Sequence, residues 1–451
     1  MIKTISKFFF EEHSIMPLVT FRVVFGILMF YASLRYAYYG WIDTLYLDPD
    51  FYFPFVQGIA PIGSTGIYTL FMIMVLSTLG IMLGLFFRVS TVLFFLIFTY
   101  FELLDKTFYL NHYYLVCLLS FLLCFTSANR YFSLDVYFRP KLKRLTCPAW
   151  QIQIFKLQLS IVYFFAGLAK VNSDWLFHAQ PMATWLPGRY SLPIIGRWLH
   201  LSWLAFLFSW LGCLYDLTIW IFLWIKKTRS LAYIAVIIFH VLTYILFPRI
   251  GMFPYIMMTS TLIFFSASWH EKLIGALKKW GGRNMVFKEQ KNVGFTQPAG
   301  TGKTVAELFL IGYLLIQLYL PLRYLQYGGH LFWHERGYRF SWRVMLMEKS
   351  GLTHIVVRDP KTQLQYEVDQ DQYLTRFQQK EMSTQPDMIL QFVHHVGDEF
   401  KNQKHYEPEV YVYSRVSLNG RRSKPFTDPE INAYLLDDPF RNKNWILSFD
   451  Q

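Results

Sequence analysis

Lys156, Ser160, Tyr163, Gly167 and Lys170 stand at i, i+4, i+7, i+11 and i+14, a spacing that puts all five on one face of an α-helix. Leu157, Ile161, Phe164, Phe165 and Leu168 fill the faces beside it. A polar and small stripe turned toward lipid is costly, so this one should look into a helix bundle or a cavity. Its last member, Lys170, has two readings. It snorkels to the membrane surface, helped by Asn172, Asp174 and Trp175, or it is a buried base. A lysine takes up a proton near neutral pH only where burial favours its uncharged form, and a bundle interior supplies that burial. Gly167, one turn earlier, would leave room for a flat ring to approach.

Further polar groups fall at matching depth. Asn111 and His112 open an apolar run, His240 lies deep in "IIFHVLTYILF", and Asp216 interrupts "CLYDLTIW". Taken singly, each is most simply a satisfied structural residue; their shared position toward one end of the bundle points to a common pocket. Two other motifs fail. Gly302-Lys303-Thr304 matches the end of a phosphate-binding loop, but Gln297 replaces its first glycine and no apolar strand precedes it. His330 and His334 are spaced i, i+4 without a third ligand or an HExxH glutamate, so no metal is expected. Cys117, Cys124, Cys147 and Cys213 form neither a zinc ribbon nor a redox pair and read as buried free thiols.

The elements that must hold these groups are membrane helices. Apolar residues make up 54% of the 451 and charged residues 16%, against roughly 25% charged in soluble domains. Apolar runs fall at about 17–38, 66–87, 89–104, 111–128, 151–171, 202–225, 230–247, 252–268 and 305–323, those at 89–104 and 252–268 being short. The net charge of +13 is concentrated in alternate loops. One set carries Arg130, Arg139, Lys141, Lys143 and Arg144; another Lys226, Lys227 and Arg229; a third Lys272, Lys278, Lys279, Arg283, Lys288, Lys291 and Lys303. The positive-inside rule places these loops and the N-terminus in the cytoplasm, so an odd number of crossings puts the C-terminus on the opposite side. This distribution accounts for the basic balance, and no nucleic-acid partner is expected. "MIKTISKFFFEEHS" is too short and too acidic for a cleaved signal, so the first span should serve as the insertion signal.

After about residue 326 the pattern changes. "HIVVRDPKTQLQYEV" reads as a hairpin turning at Asp359-Pro360, "DMILQFVHHVGDEFKN" as an amphipathic helix, and "PEVYVYSRVSL" as a strand of period two. The expected fold is a polytopic α-helical membrane protein of about nine membrane helices with a small C-terminal α+β extramembrane domain. The division falls at 1–326 and 327–451.

The chain resembles the vitamin K-dependent gamma-carboxylase family, whose transmembrane region is the horizontally transferred transmembrane (HTTM) domain. The resemblance rests on "FRVVFGILM", "LGIMLGLFFRVS", "LLDKTFYLNHYYL", "IVYFFAGLAKVNSDWL", "FHVLTYILFPRIGMFPYIM" and "GYRFSWRVM", in that order. It implies a membrane enzyme in which a lysine base deprotonates a vitamin K hydroquinone. With O2 the reduced naphthoquinone then yields a strong base and becomes an epoxide, while a glutamyl side chain loses its γ-proton and takes up CO2. On this resemblance Lys170 is the base and Asn111-His112 the family's Asn-His pair, and all three are catalytic. Tyr163, His240, Tyr338 and Trp342 are then quinone-binding.

The implied partners are the lipid bilayer, a membrane quinone, a glutamate-containing protein or peptide, and a quinone reductase that regenerates the cofactor. The short form implies a bacterial inner membrane, or the endoplasmic reticulum in a eukaryote. Departures are visible too. The long additional lumenal region of animal members has no counterpart here, no cysteine follows Cys213, and Ala169 stands where animal enzymes carry a second lysine. Two other readings stay open: an enzyme that only epoxidises the quinol, and a non-catalytic quinone- or lipid-binding or transport protein.

Overall fold

The computed structural model of the chain describes residues 7–280, 300–437 and 445–449. Arg283, Lys288 and Lys291 of the third basic loop lie outside the described residues. The helices are α1 (Met16–Tyr38), α2 (Gly63–Leu83), α3 (Phe87–Leu104), α4 (Asn111–Cys124), α5 (Trp150–Ala169), α6 (Ser202–Trp224), α7 (Arg229–Leu246), α8 (Phe253–Phe264), α9 (Ala267–Trp280) and α10 (Thr301–Leu322). All but α4, α8 and α9 are long and apolar enough to cross a membrane, which makes seven among the described residues. With the shorter apolar α4 and α8 the nine predicted runs are accounted for.

Their lengths differ from expectation in an informative way. The run at 89–104 is a full 18-residue helix, because it begins earlier, at Phe87. The run at 111–128 stops at Cys124 after 14 residues. There the Thr126 hydroxyl donates back to the Leu123 carbonyl at 3.0 Å, and the Ser127 amide goes to Gln151 Oε1 at 2.9 Å. At a rise of about 1.5 Å per residue α4 reaches roughly 21 Å, well short of a hydrocarbon core of about 30 Å. Short α4 and α8 leave a recess in the bundle, and other parts of the chain fill it.

At one end of the bundle β1 (Glu12–Ser14) pairs antiparallel with β2 (Thr146–Pro148), tying the N-terminal segment to the loop before α5. Arg22, fully buried, donates to the Ile81 carbonyl at 3.1 Å, the Met82 carbonyl at 2.9 Å and the Phe132 carbonyl. It thereby satisfies carbonyls that the end of α2 leaves open. At the other end sits a four-stranded antiparallel sheet in the order β4 (Gln365–Glu367), β3 (Lys349–Arg358), β5 (Glu409–Leu418), β6 (Lys424–Pro425). Two helices cover it: α11 (Arg376–Met382), opened by a Thr375–Gln378 capping box, and α12 (Pro386–Lys404). Val410, Val412, Val416 and Leu418 alternate inward from β5 and meet Ile389, Phe392 and Val393 of α12. The hairpin, helix and strand of the tail stand where they were predicted.

The sheet domain is fastened to the loops predicted to be extracytoplasmic. Gln378 Nε2 donates to the Phe51 carbonyl at 2.7 Å and to Asp105 Oδ2 at 2.9 Å. Lys106 Nζ lies 3.0 Å from Asp387 Oδ2. Burial alone would raise the Asp387 carboxyl, but Arg339 and Lys106 outweigh it and hold it down at about 2. The basic loop 139–144 is at the opposite end. In intact cells, a membrane-impermeant thiol reagent is therefore expected to label Gln403→Cys, on the exposed end of α12, and to spare Lys141→Cys until the membrane is opened. The reverse pattern would invert the topology.

Candidate active site

The polar stripe of α5 is the face that packs on α6. From one end to the other, Trp224 Nε1 donates to Ser160 Oγ at 2.9 Å, Tyr163 meets Tyr215 edge-on at 5.9 Å, and Lys170 meets Asp216. Gly167 makes this possible. A Cβ there would lie 2.6 Å from the backbone nitrogen of Leu217 and 2.9 Å from the carbonyl carbon of Asp216. Only glycine lets the two helices approach this closely. The expectation that Gly167 leaves room for a flat ring is thus corrected: the space beside it is filled by α6.

Lys170 caps the C-terminus of α5 and is 6% exposed. Its Nζ donates to Asp216 Oδ2 at 2.7 Å and to the Ala166 carbonyl at 3.1 Å, and stands 5.3 Å from the centre of the Trp175 ring. It does not snorkel. The pair forms part of the wall of a cavity of about 380 Å³ between α5, α6 and α7. Tyr163, Tyr215 and His240 supply most of the remaining polarity, and the rest of the wall is largely aliphatic and aromatic. Tyr163 Oη and His240 Nε2 are 3.3 Å apart. His240 reaches inward because Ala232, Val236 and His240 are the buried stripe of α7 at i, i+4, i+8.

Three sequence-predicted residues therefore meet in one cavity: Lys170, Tyr163 and His240. The other four do not line it. His112 is buried behind Phe253, whose ring lies 6.1 Å from His112 and 5.4 Å from His240. Asn111 works on the backbone: its Nδ2 donates to the Arg343 carbonyl at 2.9 Å, and its Oδ1 accepts from Tyr109 Oη at 3.2 Å. Trp342 stacks on Tyr114 at 5.0 Å, and Tyr338 stands edge-on to Phe332 at 6.2 Å. The segment they belong to fills the recess left by α4, and it is Val344 and Met345 that reach the cavity. Phe340, Trp342 and Met345 all have left-handed φ, of 61°, 58° and 52°. Such backbone at membrane depth persists only when its polar groups are held by protein, which Asn111 and Tyr109 do here. Tyr215 and Trp175 were not expected in the pocket, and Asp216, expected there, had no predicted catalytic or quinone-binding role. For Asp216 the signal was present, since an intramembrane carboxylate is a functional candidate in itself.

A second clamp orders the segment after Lys170. Asn172 caps the short helix Ser173–Phe177, and buried Asp174 accepts from Asn419 Nδ2 at 2.6 Å and from Arg421 at 2.9 and 2.5 Å. Burial would raise the Asp174 carboxyl, but the Arg421 and Asn419 hydrogen bonds outweigh it and hold it below its ordinary value. Next to it, Trp175 Nε1 donates to the Ser209 carbonyl at 2.6 Å, which fixes the ring over Lys170. Arg421→Gln leaves a buried carboxylate half-answered and is expected to cost about 2 kcal/mol, the low side for a buried pair because Arg421 is partly in water. Thermal unfolding in detergent reads this loss. Arg421→Lys should recover only part of it, because an ammonium cannot reproduce the bidentate fork.

Two family descriptions match the chain. "HTTM domain" matches residues 10–269, and "Vitamin K-dependent gamma-carboxylase, lumenal domain" matches residues 302–451. The first covers α1 to α8 and most of the cavity wall; the second covers α10 and the sheet domain. No solved structure matches the chain.

Proposed function

We propose, from the premise that this chain belongs to the vitamin K-dependent gamma-carboxylase family, that its cavity takes a reduced naphthoquinone and oxygenates it to the epoxide. In the full reaction this is coupled to carboxylation of glutamyl residues with CO2. The observation that carries the reading is the buried Lys170–Asp216 pair in the wall of an otherwise apolar cavity.

The residues fit such a group. The wall is apolar enough for a fused aromatic ring, and it opens toward lipid, since Leu211 and Ile238 both line it and are 53% and 61% exposed on the outer surface. His240 Nδ1 is buried with no hydrogen-bond partner among the described residues, so a bound hydroxyl or carbonyl could answer it. Lys170, Tyr163 and His240 would hold the polar end. When bound, the reduced naphthoquinone would supply, through its own oxidation by O2 to the epoxide, the strong base that removes the glutamyl γ-proton.

The protein's part is proton handling and exclusion of water. Lys170 Nζ donates to the Ala166 carbonyl and to Asp216 Oδ2. In the proposed reaction its amine form takes the quinol's proton at the cavity wall. On taking a proton there, Nζ becomes an ammonium whose new charge is answered at once by the Asp216 carboxylate. Trp175 covers the pair, and aromatic and aliphatic side chains line the rest of the cavity, which excludes water and protects the basic chemistry. In this reading His112 acts from one ring behind the cavity, through Phe253, rather than by binding the ring. In this reading residues 327–451 face outward to meet the glutamyl substrate, and a quinone reductase closes the cycle.

Incubating the detergent-solubilised chain with a reduced naphthoquinone under oxygen tests the proposal, with epoxide detected by mass spectrometry. A second incubation adds a glutamyl peptide and labelled CO2. Epoxide without label incorporation would favour the epoxidase-only reading, and neither product would refute both.

A further inference from the structure

At the end of the bundle away from the sheet domain, a groove of about 650 Å³ runs between the α2–α3 turn and the loop after α4. Arg88, Arg130 and Arg139 line it. Asp135 is the one acid in its wall among the described residues, and its carboxylate is already committed. It accepts from the Phe86 amide at 2.8 Å, the Phe87 amide at 3.1 Å and Asn129 Nδ2 at 2.7 Å, capping the start of α3. Neither Arg130 nor Arg139 has an acidic partner among the described residues. Three guanidiniums against one carboxylate leave the groove with two uncompensated positive charges.

Topology does not require this arrangement. Lys141, Lys143, Lys226 and Lys227 already supply positive charge to the loops without lining a groove. Large apolar side chains lie at the same place: Phe86 is 67% and Phe138 66% exposed, both line the groove, and Tyr137 beside them is 57% exposed. Aromatic rings beside the end of a membrane helix mark the headgroup level of a bilayer. Arg130 and Arg139, with Arg88, which also donates to the Cys124 carbonyl, line one groove at that level. Such a set suits a phosphate diester, whose oxygens take the planar forks of arginine.

We propose that this groove binds the headgroup of an anionic membrane phospholipid, with the arginines on its phosphate and the acyl chains lying along α2 and α3. The site is independent of the quinol cavity. Native mass spectrometry of the full chain in detergent, titrated with dioleoylphosphatidylglycerol, dioleoylphosphatidylcholine and inorganic phosphate, tests it. Phosphatidylglycerol should bind at least tenfold more tightly than phosphatidylcholine. Arg130→Gln/Arg139→Gln should remove at least tenfold of that affinity, whereas Lys141→Gln/Lys143→Gln, two charges at the same end but outside the groove, should not. Arg139→Glu, at an exposed position, gives the same reading if the double variant does not fold. Equal binding of the two lipids, or equal loss from the two double variants, would reduce the groove to a diffuse basic surface and overturn the proposal. Inorganic phosphate competing as well as the lipid would overturn the lipid assignment.

Discussion

Lys170→Arg is expected to abolish quinol oxygenation at neutral pH, by about 100-fold or more, the usual contribution of a positioned general base. Guanidinium can keep the ion pair with Asp216 but stays protonated, so it cannot take the proton. Lys170→Ala should fail equally, and here the structure changes how the test is run. Removing Lys170 alone strands the buried Asp216 carboxylate, and breaking a buried pair costs about 3–5 kcal/mol. A loss of activity in that variant could therefore reflect a loss of folded protein. Lys170→Ala/Asp216→Asn removes the stranded charge and separates the two effects. With the double variant folded, a small exogenous amine, or a pH high enough to ionise the quinol beforehand, should restore part of the activity. Full epoxidation by Lys170→Arg would make Lys170 an electrostatic partner only and end its role as base.

Gly167→Ala should produce the second large effect, although the residue carries no functional group. Its Cβ would sit 2.6 Å from the Leu217 backbone nitrogen, where no side-chain rotation can relieve the contact. Overpacking of this kind costs about 1–3 kcal/mol, and α6 must move away from α5 to accommodate it. That movement pulls Asp216 from Lys170, so activity should fall further than the loss of stability accounts for. Gly212→Ala is the comparison for stability. On α6 its added Cβ would meet Trp175 at 3.8 Å, an ordinary contact, and its unfolding temperature should stay near that of the parent. An equally stable and fully active Gly167→Ala would show that the close approach of α5 and α6 does not set the pair.

Much of the fold was legible because membrane insertion is governed by local terms. Nine apolar runs are nine helices, and the tail's hairpin, helix and strand stand where the periodicity put them. The inward orientation of the α5 stripe was legible for the same reason, since lysine, serine and tyrosine on the lipid side would be penalised wherever the neighbouring helices lay. Lys170, Tyr163 and His240 were therefore within reach of the sequence.

Other features were decided only by the tertiary structure. That Lys170 is answered by Asp216 depends on α6 meeting α5 at Gly167, 46 residues apart along the chain at the pair itself. That His112 stands behind Phe253, and that Val344 and Met345 rather than Tyr338 and Trp342 reach the cavity, depends on where short α4 and α8 end and on how the segment at 338–345 packs against them. In water, the contrast between a polar outside and an apolar inside marks which face of a helix is buried. In a bilayer the outside is as apolar as the inside, so an aliphatic or aromatic residue carries no sign of whether lipid or a neighbouring helix will meet it. Composition and periodicity determined which segments are apolar helices and which few polar groups turn inward. Their partners were settled only when small residues and close packing fixed the rotation and depth of each helix.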